Sequence, residues 1–243
     1  MSGDEARAGE GILQASRSNA WSDLATVVPL FVGYHVGVVF LSVRNAADLV
    51  TSELTTLANH SRALYWLLTV AIGLALVAVL TLLGRGQSFE LRRLLLVVVE
   101  AVLYAALMRV AAGYVVGALP LASLGPPAGG YGLWAGVVMS LGAGLYEELA
   151  FRVGLYGLGA WCLRRLAGSF VGRGAVRLGW ALVAAAVFAG WHYLGPMGDA
   201  FEPRSFVFRC VCGLAFTLIY VARGFAPAVW THALYDVWVL ALR

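Results

Sequence analysis

The 243 residues carry a formal net charge of +4, only 12% are charged, 61% are hydrophobic, and the mean hydropathy is +0.82. So apolar a composition excludes an ordinary soluble domain and makes lipid the solvent in which the chain folds. All the positive charge besides histidine is arginine, since lysine is absent, and no nucleic-acid or nucleotide motif accompanies it.

In chain order, residues 1–23 mix Gly, Ser, Asp, Glu and Arg without the basic, apolar, small-residue order of a cleavable signal, and read as a polar tail. A spanning helix needs about 20 mostly apolar residues. Seven such runs follow, at 24–43, 64–83, 94–116, 133–163, 176–194, 206–221 and 225–242. Unpaired backbone is too costly in lipid for anything but helix, so the expectation is an all-α, polytopic transmembrane bundle. The turn Gly195-Pro196-Met197-Gly198-Asp199 separates the fifth run from the sixth. Arg85, Arg92 and Arg93, then Arg164, Arg165, Arg173 and Arg177, then Arg223 fall in alternate loops, which predicts those loops and the N-terminus on the cytoplasmic side. Cys162, Cys210 and Cys212 have no metal-binding spacing and read as small buried hydrophobes. Trp21, Trp66, Trp161 and Trp230 lie near run ends, where an interfacial belt is expected.

Ionisable groups inside such runs are informative, because each costs roughly 2.5 to 3.5 kcal/mol at mid-membrane on insertion scales. The last four runs hold six that lie well inside: Glu147, Glu148, Arg152, His192, His232 and Asp236. Glu148 and Arg152 are four apart and can pair on one helix face, with Glu147 about 100° away and free. Gly144 lies on the stripe of Glu147, where it admits close approach of a helix or a substrate backbone. His232 and Asp236 are also four apart, so the carboxylate could orient the imidazole or share its proton. Structural pairing accounts for Glu148 with Arg152 but leaves Glu147 and both histidines unexplained. Glu100, Arg109 and His35 stand isolated and suggest no role.

Three motifs run through these residues: Glu147-Glu148-Leu-Ala-Phe-Arg152, Phe188-Ala-Gly-Trp-His192, and His232-Ala-Leu-Tyr-Asp236. In that order they resemble the CPBP family of CAAX proteases and bacteriocin-processing enzymes, which includes the type II CAAX prenyl endopeptidases. The resemblance implies N-terminal transmembrane helices over 24–122 and a four-helix catalytic core over 131–243. It further implies an intramembrane endopeptidase acting near the C-terminus of a membrane-tethered protein or lipopeptide, on a CAAX-like tail or a sorting signal, in a prokaryotic cytoplasmic membrane. Glu147 and His192 would activate a water, His232 and Asp236 would bind or polarise the scissile carbonyl, and Glu148, Arg152 and Phe188 would support them. Glu147, His192 and His232 would suit zinc as ligands, but the better-understood relatives imply a metal-free glutamate mechanism with no cofactor. Asp236 stands where those relatives tend to carry Asn, which puts its oxyanion role in question.

Two other functions fit the buried charges: a proton-coupled transporter, and a silent scaffold or immunity protein of the same fold. Counting about 1.5 Å per residue along each helix, Glu147 and His192 lie roughly 24 Å from their cytoplasmic ends and His232 only about 10 Å. Convergence therefore requires either a submerged turn at 224–227 or strong tilt.

Overall fold

The computed structural model describes residues 20–41, 43–57, 61–83, 91–120, 132–163, 169–195 and 198–242. Most of the expected polar tail, together with Arg85, Arg164, Arg165, Pro196 and Met197, lies outside them. Among the described residues every regular element is helical: α1 Ala20–Leu41, α2 Leu49–Leu57, α3 Arg62–Leu83, α4 Leu91–Gly117, α5 Leu133–Gly142, α6 Gly159–Leu163, α7 Phe170–Trp191, α8 Pro203–Arg223 and α9 Phe225–Asp236. Between α5 and α6 the helix widens twice, into π1 Ala143–Glu147 and π2 Leu149–Leu158, and α9 continues as π3 Val237–Ala241. The protein is an all-α helical bundle, and each expected run is matched by helix to within several residues. The short α2 was not expected.

Four stretches, Leu24–Leu41, Leu91–Gly117, Val171–Trp191 and Pro203–Arg223, are long and apolar enough to cross a membrane, and only 22–28% of each hydrophobic window is buried in protein. Their remaining apolar surface points outward, as Leu103, Leu107 and Val110 do on α4 and Leu178 and Leu182 on α7. Lipid is the medium that accommodates such a surface.

Small residues set the closest contacts. A methyl built on Gly144 in π1 would meet the Val229 carbonyl oxygen at 2.7 Å and Ala233 Cβ at 2.7 Å, and one on Gly136 would meet the Leu240 carbonyl at 2.6 Å. The two glycines thus seat the α5–π1 rod against α9 and π3, and Gly144 admits a helix of this chain rather than a substrate. Gly142 receives the Tyr34 ring in the same manner, joining α1 to the rod. Gly224, at φ 100°, ends α8 and turns directly into α9, whose Ala226, Ala228 and Val229 are completely buried. Helix α9 therefore starts against the protein interior, with His232 two turns along it.

Other expectations change. Trp230 donates from Nε1 to the Thr26 carbonyl at 3.0 Å and packs on the central core cluster, so it ties α9 to α1. Cys212 is buried, Cys210 half-buried and Cys162 exposed, so only the first fits the small-hydrophobe reading. The isolated charges have partners: Glu100 is bound by Arg223 and Tyr104, and Arg109 lies over the Trp238 ring at 4.9 Å.

Gly144→Val is expected to lower the unfolding stability of the detergent-solubilised protein by about 1–3 kcal/mol through overpacking at the α9 contact. Gly73→Ala, with nothing within 4 Å of the added methyl, should leave the thermal transition in place. Equal transitions for the two variants would refute the close-contact role of Gly144.

Candidate active site

Widening in π1 and π2 sends the two adjacent glutamates to different surroundings. Glu148, the single residue between the two wide segments, is 0% exposed and pairs with Arg152 Nη1 through Oε1 at 3.1 Å. The same Oε1 accepts a 2.7 Å hydrogen bond from His232 Nδ1 on α9. Glu147, 5% exposed, faces a cavity of about 840 Å3 that is also lined by His192, His232 and Asp236. Glu148 and Arg152 stay behind that wall.

The Arg152 guanidinium is held between aromatic faces, 4.2 Å from the Phe188 ring centre and 5.0 Å from that of Phe216, and Nη2 reaches the Gly213 carbonyl at 3.4 Å. Cation–π contact gives a buried guanidinium compensation that a carboxylate alone would not. Phe216 also stacks on His232, with ring centres 4.4 Å apart and planes 19° apart. Phe188 serves twice. Its ring meets His192 and His232 edge-on, and its carbonyl lies 2.9 Å from His192 Nδ1. A carbonyl only accepts, so Nδ1 carries the proton and Nε2 is the edge turned toward Glu147. The four-residue spacing of Phe188 and His192 is what brings a carbonyl and a side chain one turn on together.

Three polar atoms face one another across the cavity wall. Glu147 Oε2 lies 3.8 Å from His192 Nε2 and 3.9 Å from His232 Nε2, and it makes no direct hydrogen bond. Asp236 Oδ2 lies 3.5 Å from His232 Nε2. The expected His232–Asp236 contact is thus present, but Glu148 holds the Nδ1 edge, so orientation of the ring falls to Glu148. His192 is brought to the site from the C-terminal cap of α7, where its carbonyl accepts the Asp199 N–H at 2.8 Å. All seven residues singled out from the sequence meet in one place. Glu147, His192 and His232 are donors of the kind zinc accepts, though among the described residues no group of three or more His, Cys, Asp or Glu side chains has the spacing of a formed metal centre.

One participant was not foreseen: Asn45, in the connection between α1 and α2, donates from Nδ2 to Glu147 Oε1 at 2.9 Å. Its Oδ1 accepts the Ala47 N–H at 2.8 Å, and its own N–H reaches the Tyr34 hydroxyl at 3.1 Å. Asp48 caps α2 by accepting the Thr51 N–H at 2.8 Å and accepts a hydrogen bond from the Tyr34 hydroxyl at 2.6 Å. Asn45-Ala46-Ala47-Asp48 is legible as an Asx turn followed by a helix cap. Its contact with a residue 102 positions away is not.

The family model described as "Type II CAAX prenyl endopeptidase Rce1-like" matches residues 129–238. That segment, a little under half of the chain, is similar to the family over its whole matched length. No curated protein and no solved structure matches the chain. The domain spans all of the site residues except Asn45, and the family is one of membrane-embedded peptidases acting on membrane-anchored substrates. Together with the apolar helices described above, the similarity supports an integral membrane protein.

Arg152→Leu is expected to cost about 3–5 kcal/mol of unfolding stability, because it strands the fully buried Glu148 carboxylate. Arg209→Leu, at a pair with Asp199 whose side chains are 24% and 48% exposed, should cost less than about 1 kcal/mol. Denaturant unfolding in detergent micelles measures both, and a mild effect at Arg152 would show that Glu148 has other compensation.

Proposed function

We propose that the chain is a metal-free intramembrane endopeptidase that hydrolyses a peptide bond near the C-terminus of a membrane-tethered protein, using a water activated by Glu147 and His192. The observation that carries this reading is the gap between Glu147 Oε2 and the two imidazole Nε2 atoms, 3.8 and 3.9 Å. Both are too long for a direct hydrogen bond, yet one water oxygen about 2.8 Å from each end spans either of them. Glu147 Oε2 takes one proton from that water, and His192 Nε2 accepts a hydrogen bond from the other and directs the lone pair at the carbonyl carbon.

Attack forms the carbon–oxygen bond and places negative charge on the former carbonyl oxygen. The His232–Asp236 edge receives that oxyanion. With His232 Nδ1 donating to Glu148, the Nε2–Asp236 contact needs a proton on one side or the other, since two lone pairs facing one another at 3.5 Å repel. Either placement supplies a donor, so aspartate in place of asparagine is compatible with the role. Glu147 then passes its proton to the departing nitrogen, the carbon–nitrogen bond breaks, and the products are a new carboxyl terminus and a free amine. The arginine pattern supports an N-terminus on the cytoplasmic side. It also supports a site in the outer half of the membrane, which favours an exported, sorting-signal substrate over a cytoplasmic prenylated one.

Purified protein in phosphatidylcholine vesicles, presented with membrane-anchored test peptides bearing either tail type, tests the proposal. Glu147→Gln and His192→Ala are each expected to lower cleavage by about 10²–10⁴-fold, the usual contribution of a general base, while chelator leaves the wild-type rate unchanged. Full activity in both variants would sink the proposed chemistry. Loss of activity in chelator with recovery on added zinc would replace the metal-free mechanism.

A further inference from the structure

The CAAX-protease match begins at residue 129 and leaves the α1–α2 connection outside, yet that connection holds one oxygen of Glu147. We infer that Asn45 is a positioning residue for the reaction: its amide fixes the Glu147 carboxylate with Oε1 turned inward and Oε2 turned to the histidines. The inference rests on Glu147 being the base.

A glutamate side chain has a freely turning carboxylate, and only one orientation places Oε2 between His192 and His232. The Asn45 amide removes that freedom, because Nδ2 donates to Oε1 while Oδ1 is held by the Ala47 N–H. The amide cannot turn over without putting its carbonyl oxygen against a carboxylate. Asn45 is itself 5% exposed, and its backbone is anchored through Tyr34 to Asp48 at the start of α2. A second tie acts one residue earlier: His35 joins the Tyr65 and Tyr146 hydroxyls, at 3.0 and 2.7 Å, so α1 and α3 also hold the backbone segment that carries the base.

The chemistry of the amide matters as much as its place. Glu148 is bound by a guanidinium, which cancels its charge and suits a structural role. Glu147 is bound by a neutral donor, which directs the carboxylate and leaves it able to take a proton. The helices preceding the family domain would on this view complete its active site as well as anchor it.

Asn45→Asp separates this role from a merely structural one. Its carboxylate still accepts the Ala47 N–H, so the turn survives, but the donor toward Glu147 becomes an acceptor. Infrared pH titration of the full chain in vesicles, with 13C-labelled glutamate and Glu147→Gln to identify the Glu147 band, reads the carboxylate without need of substrate. Both Asn45→Asp and Asn45→Ala are expected to move that band and its titration midpoint. On the anchored peptides they should lower kcat about tenfold to a hundredfold, the scale of a misplaced catalytic group, with KM unchanged and the thermal transition of the Asp variant retained. Wild-type band, midpoint and kcat in both variants would overturn the inference. A fully active Glu147→Gln would instead overturn the base assignment, and the infrared shift would still report whether Asn45 holds the carboxylate.

Discussion

A carboxylate removed entirely from water must be compensated on the spot, and Glu148 is such a group, with 0% exposure. One partner comes from its own helix, Arg152, and the other from α9, His232. Arg152 then needs its own compensation, which arrives as the Phe188 face from α7 and the Phe216 face and Gly213 carbonyl from α8. Four helical segments are thereby committed to one arrangement by a single buried charge. Removing one member of such a network strands the rest, so its value lies in specificity of packing more than in net stabilisation.

The wide helical turns explain how neighbours in sequence serve opposite ends. In π1 and π2 the backbone hydrogen bonds run one residue further than in an α-helix, and wide turns of this type recur at functional sites. Glu147 is left facing the cavity and Glu148 facing Arg152, while Gly144, three residues before Glu147, lets the rod close on α9 at Val229 and Ala233. His232 precedes Ala233, so the same close approach that joins the helices sets the imidazole against both carboxylates.

Hydropathy made the long helices and the membrane legible, and three short motifs located seven residues that the fold brings together. Each of those signals is local: an apolar run, or two polar residues one turn apart. What escaped was long-range or irregular. His35 looked isolated because Tyr65 and Tyr146 lie far along the chain, and so does Arg223, the charge partner of Glu100, although its other partner Tyr104 is one turn on. Nine-residue α2 is too short and polar to register as a span. His192 falls one residue past the end of α7 rather than within it, since the chain turns at Tyr193 and returns Asp199 to cap the last carbonyl. The burial of α9 from its first turn could not follow from counting residues, because an apolar run reads the same whether it faces lipid or protein.

Three of the groups facing the cavity share one pattern, with one polar atom tied into the protein and another turned to the cavity: Glu147 gives Oε1 to Asn45 and turns Oε2, His192 gives Nδ1 to the Phe188 carbonyl and turns Nε2, and His232 gives Nδ1 to Glu148 and turns Nε2 toward Glu147 and Asp236. The inward ties come from three kinds of partner, an amide, a backbone carbonyl and a carboxylate already neutralised by arginine. Each defines which edge is presented without placing a full opposing charge at the cavity. On the proposed reading, preorganisation of this kind incurs the cost of orientation during folding, so that little reorientation is left for the moment at which charge develops on a substrate. The tie on Glu147 is the one of the three that comes from outside the matched segment, from Asn45 in the turn after α1.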